Sequence, residues 1–308
     1  MDILVTGATG LIGSALTRQL VQDGASVRIF RRSTSALDLL GPTANHVDHA
    51  IGDLTDPRSL LRAMDGIGQV YHVAAALGPG NDRATLRRVN VGGTANVVNA
   101  ALEAGVERLV LTSSMAALGR PADEHTLIDE TTPQARSVKR SDYGQSKYDA
   151  ELEVHRGIAE GLDGVIVNPA LVFGVGRPGE NTRRIVDAVR HGRIPGVPSG
   201  GTCVVDVEDV AAGHRRAMAR GAPGERYLLG AENLSWATIF ETIADAFDAD
   251  PPRRSIPDWL IRSGAALTEA AAFATRTAPW FPRSAARSLT TVRRYDNTKA
   301  VEELGCSF

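Results

Sequence analysis

The feature that most constrains this chain is a glycine run, Thr6-Gly7-Ala8-Thr9-Gly10-Leu11-Ile12-Gly13, directly behind the apolar stretch Asp2-Ile3-Leu4-Val5. A short apolar run closed by glycines reads as a buried parallel strand. Leu16, Leu20 and Val21 follow at helical spacing. Glycines three apart permit a sharp turn, close approach of backbone to a phosphate, and tight packing of helix on strand. The helix behind them offers unpaired N–H groups and the positive end of its dipole. Strand, turn and helix in that order predict a dinucleotide pyrophosphate over Gly7, Thr9, Gly10, Leu11, Ile12 and Gly13. A glycine-rich turn without a ligand is the plainer alternative, and the flanking elements weigh against it.

The alternation continues. Ala25–Phe30, Gln69–Leu77, Arg108–Ser114 and the stretch from Gly164 read as strands, with helical segments between them. This pattern through about residue 170 predicts an α/β fold, a Rossmann-like doubly wound parallel sheet with a smaller C-terminal α/β substrate-binding lobe. The expected division is a dinucleotide-binding part over 1–170, with 203–230 returning to it, and a lobe from 171–202 and 231–308. The Gly/Pro-rich stretch from His191 to Gly201 marks the start of that lobe.

An acidic residue closing the second strand would bind the ribose 2′-hydroxyl of NAD. Here stand Arg31, Arg32 and Ser33. Guanidinium groups pair with phosphate oxygens, so NADP(H) is favoured and NAD(H) stays open. Ala74, Ala75 and Ala76 are small enough for a cofactor to cross the backbone there. His72 lies inside an apolar strand and reads as structural.

The strand from Arg108 ends in hydroxyls, Thr112, Ser113 and Ser114, at the sheet edge where open α/β folds place ligands. Thirty residues on, Tyr143 and Lys147 stand at i and i+4 on one helix face. A nearby ammonium favours tyrosinate and lowers the phenol pKa. Tyr143 is then a proton donor or acceptor for a carbonyl–alcohol pair. With the glycine loop, these residues point to hydride chemistry on a nicotinamide cofactor.

The Thr6-Gly7-x-x-Gly10-x-x-Gly13 spacing, the Thr112-Ser113-Ser114 strand end and Tyr143-x-x-x-Lys147 resemble the extended short-chain dehydrogenase/reductases, the NAD-dependent epimerase/dehydratase superfamily. The resemblance spans most of the chain. It implies a Ser114-Tyr143-Lys147 triad, with Ser113 as the fallback hydroxyl, nearer the nicotinamide. It puts Lys147 on the nicotinamide ribose, Asp53 and Leu54 on the adenine, Asn90 near the active site, and Pro169 and Val172 in the nicotinamide loop. It also implies a homodimer through a four-helix bundle that includes the Tyr143–Lys147 helix. Ile256-Pro257-x-Trp259-Leu260 and Lys299-Ala300-x-x-Glu303-Leu304-Gly305 resemble the dihydroflavonol-4-reductase-like and 3β-hydroxysteroid dehydrogenase-like branch. Relatives there handle apolar ketones, aldehydes or alcohols.

Sugar-nucleotide epimerases and dehydratases, which keep NAD(H) bound, share most of these motifs and stay open as an alternative. Their pattern places an Arg before Val-Asp-Val-x-Asp, whereas this chain reads Gly201-Thr202-Cys203-Val204-Val205-Asp206. Arg177, Arg183, Arg184 or Arg193 could substitute. A redox-sensing binding protein without chemistry is the third reading, and the full triad argues against it. Net charge is −2, which gives no basic field for nucleic acid. Cys203 and Cys306 show no metal or disulfide spacing. Asp206 and Asp209 read as helix-capping residues rather than metal ligands. Apolar positions through Trp259, Leu260, Ala266, Leu267, Ala270 and Phe273 read as a core-facing helix, and Arg262 and Glu269 exclude a membrane span. The first strand begins at Asp2, which leaves no room for a signal peptide, and the expected location is the cytoplasm.

Overall fold

The computed structural model describes residues 2–77, 81–123, 125–179, 182–275 and 281–308. Its strands are β1 (Asp2–Thr6), β2 (Val27–Arg31), β3 (Asp48–Ile51), β4 (Ile67–His72), β5 (Arg108–Thr112), β6 (Gly164–Pro169), β7 (Leu171–Phe173), β8 (Gly201–Asp206), β9 (Arg226–Leu229) and β10 (Glu232–Ser235). Its helices are α1 (Leu11–Gln22), α2 (Pro57–Ala63), α3 (Arg83–Leu86), α4 (Gly93–Ala104), α5 (Asp142–Ala159), α6 (Arg183–Arg190), α7 (Val207–Arg220), α8 (Trp236–Ala246), α9 (Asp258–Thr275), α10 (Arg283–Thr290) and α11 (Thr298–Leu304).

Seven parallel strands form the main sheet in the order β3-β2-β1-β4-β5-β6-β9. Successive strand residues face opposite sides, so each strand feeds two cores. Ile3 and Val5 enter one and Leu4 the other; Val165 and Val167 enter one and Ile166 the other. Both faces are therefore covered by helices, as expected for an all-parallel sheet. The strand order reverses between β1 and β4, and in such sheets ligands sit beyond the carboxyl ends of the strands at that switch point.

Two sequence expectations change. The return to the main sheet, expected over 203–230, is made by α7 and β9. Strand β8 pairs instead with β7 and β10 in a separate three-stranded sheet. Tyr295, Ala300, Leu304 and Cys306, expected in the lobe, also join the main core. The second change concerns α9. Trp259, Leu260 and Leu267 are exposed, at 68%, 50% and 72% of their surface. Among the described side chains its buried positions are the small Ala265 and Ala272, two turns apart; the Phe273 side chain lies outside the described residues. Helical spacing located the helix, but side-chain size did not identify the covered face. Among the described residues no helix is long and apolar enough to cross a membrane.

These placements predict opposite outcomes for two truncations. Ile166→Ala, at a fully buried position, should cost about 2–5 kcal/mol. Leu267→Ala should stay within about 0.5 kcal/mol of the parent. Urea denaturation of both variants checks the pair.

Candidate active site

The glycine loop is built as its spacing requires. Gly7 has φ +71°, and a Cβ there would lie 2.6 Å from the Ala74 nitrogen. A Cβ on Gly13 would meet the Gly7 carbonyl oxygen at 2.1 Å. Neither position tolerates a side chain. At Gly10 the nearest atom would be the Gly7 oxygen at 3.4 Å, which leaves the front of the loop open. Helix α1 has Gly10 as its N-cap and no side-chain cap, whereas α5, α7 and α8 are capped by Ser141, Asp206 and Ser235. Uncapped N–H groups beside an open glycine are suited to an anion. The loop therefore fits a dinucleotide pyrophosphate.

Around it the residues expected at the cofactor divide. Arg32 and Ser33 are exposed at the end of β2. Arg31 turns away: its Nε donates to His49 Nδ1 at 2.8 Å and its Nη1 to the Arg32 carbonyl at 3.1 Å. Asp53 accepts from the Thr55 backbone and hydroxyl, at 2.8 and 2.6 Å. Those bonds, chiefly, hold its carboxyl below the usual range, with a smaller contribution from Arg32. Leu54 packs against Gly93, and its carbonyl accepts from Asn96 at 2.8 Å.

The strand expected over Gln69–Leu77 stops at His72. Beyond it, the Ala74 N–H donates to Thr6 Oγ1 at 3.2 Å and the Ala76 N–H to Asn90 Oδ1 at 2.7 Å. The Asn90 amide also donates to the Ala76 carbonyl at 3.0 Å and to Ser146 Oγ at 2.9 Å. Asn90 lies in a single π-helical turn, Arg87–Gly92, that leads into α4. Such turns commonly mark functional sites. His72 is structural: it accepts from Thr6 Oγ1 at Nδ1, 2.7 Å, and donates from Nε2 to Thr94 Oγ1, 3.0 Å. That tautomer follows because the Thr94 hydroxyl proton goes to the Asn90 carbonyl at 2.6 Å. Burial, and secondarily Lys147, lowers His72 to about 3, so it stays neutral.

The strand-end hydroxyls also divide. Thr112 Oγ1 donates to His214 Nε2 at 2.7 Å, and His214 donates from Nδ1 to the Val210 carbonyl at 2.7 Å. Ser113 Oγ donates to the Glu151 carboxylate. Both side chains, expected at the cofactor, are committed to helices. Ser114 is the one directed to the phenol: it hydrogen-bonds Tyr143 and also caps the turn Met115–Ala117. Lys147 is buried, and its Nζ donates to the Thr112 carbonyl at 2.7 Å. Burial pulls Lys147 down to about 8, opposed by the Glu151 charge. Burial raises the Tyr143 phenol, opposed by the Ser114 hydrogen bond. The lowering expected from Lys147 is not among the influences on the phenol, and Tyr143 holds its proton at neutral pH.

Glu151 was not singled out in the sequence. It continues the spacing Tyr143, Lys147, Glu151, which was the available signal. Its buried carboxylate accepts from Ser113 and from Asn168 Nδ2 at 2.8 Å, and pairs with Arg226 at 3.3 Å. Asn168 also donates to the Ser114 carbonyl at 3.0 Å, so it is part of the site's frame. Pro169 closes β6 and is buried, and the Val172 carbonyl accepts from Thr182 at 2.7 Å. Arg177 and Arg183 pair with Asp38 and Asp187. Asp206 caps α7, and among the described residues no group of acidic, His or Cys side chains could hold a metal.

The NAD dependent epimerase/dehydratase family matches residues 3–230. The chain belongs to that family. A Synechocystis sp. protein named provisionally as a dihydroflavonol 4-reductase is 35% identical over 308 residues, covering 98% of this chain and 88% of that protein. Sterol demethylase protein B of Methylococcus capsulatus is 35% identical over 314 residues, covering 99% and 93%. The crystal structure of gox2253 superposes with TM-score 0.87 at 35% identity, covering 99% and 93%. The chain is an oxidoreductase of the extended short-chain dehydrogenase/reductase branch, and the family is pyridine-nucleotide dependent.

The two buried histidines carry a pH signature. Burial lowers His72 to about 3 and His214 to about 4, from an ordinary 6.5. Below 6.5 the unfolded chain takes protons that the folded one refuses, so stability falls from there toward pH 4 and is unaffected above. Each should cost about 2 kcal/mol between about pH 7 and about pH 5. Replacing one, in His214→Gln, should flatten the fall by that amount in denaturation at the two pH values.

Proposed function

We propose that this protein is an NADP(H)-dependent carbonyl reductase acting on an apolar ketone or aldehyde, or on the matching alcohol in reverse. The observation that carries the reading is Lys147 seated on the Thr112 carbonyl at 2.7 Å, one helical turn from a half-buried Tyr143 on which the Ser114 hydroxyl acts. Bound dinucleotide supplies the hydride. Ser114 donates to the substrate oxygen and polarises it, and Tyr143 gives that oxygen its proton. One hydride and one proton convert the carbonyl to an alcohol. Burial favours the neutral phenol, the form that reduction consumes. Lys147 would hold the nicotinamide ribose, and the glycine loop the pyrophosphate. Arg32 and Ser33 favour a 2′-phosphate, because Arg31 is already engaged.

The epimerase reading needs cations for a substrate diphosphate. Two of the named candidates, Arg177 and Arg183, are paired with carboxylates. Co-purified NAD(H), with interconversion of a sugar nucleotide and no net NADPH consumption, would favour that reading instead.

Tyr143→Phe should lower kcat/KM about a hundred- to ten-thousand-fold with NADPH and a panel of apolar aldehydes and ketones. In the parent enzyme the rate should fall as pH rises through about 8, where Lys147 loses its charge. A Tyr143→Phe variant with full activity would remove the phenol from the mechanism. Arg32→Ala should reduce the preference for NADPH over NADH about tenfold, equivalent to one charge-assisted hydrogen bond. An unchanged ratio in steady-state kinetics would point to NAD(H).

A further inference from the structure

Pro169 and Val172, expected at the nicotinamide, belong to a short segment that runs on to Arg177. Strand β7 occupies its middle. Beyond it the chain crosses the start of α1. A Cβ on Gly174 would meet Val207 Cβ at 2.8 Å and Leu11 Cδ1 at 3.3 Å, and one on Gly176 would lie 3.8 Å from Leu11 Cδ1. Leu11 opens α1 directly behind Gly10. The segment therefore lies against the helix end that is suited to a pyrophosphate. Val175, between the two glycines, is 82% exposed, so the outer side of this strap faces solvent.

Arg177 fastens the strap at its far end. Its Nη2 donates to the Thr9 carbonyl at 3.0 Å, to the Ala36 carbonyl at 3.1 Å and to Asp38 Oδ1 at 2.6 Å. Its Nε donates to the two Asp38 oxygens at 2.9 and 3.1 Å. Thr9 lies inside the glycine loop, and Ala36 and Asp38 follow Arg32 and Ser33. One side chain from beyond β7 thus joins the pyrophosphate loop to the segment proposed for the 2′-phosphate, across 168 and 139 residues of sequence. The Asp38 side chain is 55% exposed, and ion pairs so open to water add little to the stability of a fold. Contacts that are long in range and weak in stability belong to the parts of a structure that open locally.

We infer that the Arg177–Asp38 pair is a latch on the dinucleotide: the strap from Pro169 to Arg177 closes along the bound cofactor, and it releases at Arg177 whenever the cofactor enters or leaves. The inference rests on the dinucleotide site of the proposed function and adds to it a residue that governs cofactor exchange. Arg177 is a positioning residue here. Its charge is satisfied by Asp38, so it holds the strap rather than drawing the phosphates. Hydrogen bonding to the guanidinium keeps the Asp38 carboxyl below its usual range, so the latch stays ionised at neutral pH. Gly176, next to Arg177, has no atom nearer than 3.8 Å to the place of a Cβ, which leaves room for the strap to pivot beside its latch.

The test is stopped-flow fluorescence of NADPH and NADH binding to the full chain, with dissociation followed by displacement with excess NADP+ or NAD+. Arg177→Met and Asp38→Asn should each speed both association and dissociation about three- to tenfold, and the double variant should do no more than either alone. Added salt should narrow the gap between the parent and the variants. Arg283→Met, which breaks an exposed pair with Glu269, should leave both rates at parent values. A direct phosphate ligand would behave differently: Arg177→Met would slow association, and Asp38→Asn, by releasing the cation, would tighten binding. A merely structural pair would lower the melting temperature without raising the association rate. Either of those patterns, or unchanged rates in both variants, would overturn the latch. Failure of the reductase reading shows separately, as a latch that still governs dinucleotide exchange in a protein without Tyr143-dependent oxidation of NADPH.

Discussion

A buried ammonium held on one peptide carbonyl organises the centre of this protein. Lys147 reaches from α5 to the Thr112 carbonyl at the end of β5. A charge in that position is expensive unless its surroundings compensate it. Glu151, one turn further along the same helix, supplies the countercharge. Glu151 is in turn held by Ser113 just beyond β5, by Asn168 on β6 and by Arg226 on β9, three neighbours in the main sheet. The strand end, the tyrosine helix and the last strand of the sheet are thereby locked together, and Ser114 is left with its hydroxyl on the phenol.

The same economy of hydroxyls explains why three neighbouring residues have three fates. Thr112, Ser113 and Ser114 alternate across the strand and then leave it. Thr112 meets α7 through His214, Ser113 meets α5 through Glu151, and Ser114 is at the site. Sequence could show that hydroxyls gather at this edge, because a parallel strand ends there. It could not assign them, since the partners His214 and Glu151 lie 102 and 38 residues away.

Much of the frame was legible for a physical reason. Glycine spacing in the first loop is dictated by backbone contacts that leave no room for a Cβ, and such constraints are written directly in residue identity. The two-core alternation of β1 and β6 is likewise a property of strand geometry. What escaped was tertiary. Arg31 could not be seen to bond His49, because that depends on β2 and β3 lying side by side. Strand β8 reads like any buried strand, and only its pairing shows that it belongs to the small sheet. Helix α9 buries alanines and exposes larger residues, the reverse of what hydrophobic periodicity assumes.

A hydrogen-bonded chain runs from Thr6 through His72, Thr94 and Asn90 to Ser146, whose hydroxyl donates to the Tyr143 carbonyl at 2.8 Å. It ties the strand before the glycine loop to the helix that carries the phenol, through five side chains drawn from β1, β4, the entry to α4 and α5. Each link has its donor and acceptor roles set by its neighbours, so the members are interchangeable only as a set. The strand before the glycine loop and the tyrosine helix are therefore coupled through side chains far apart in the chain. A chimera that joins two relatives between residues 6 and 146 would have to bring matching links from both parents.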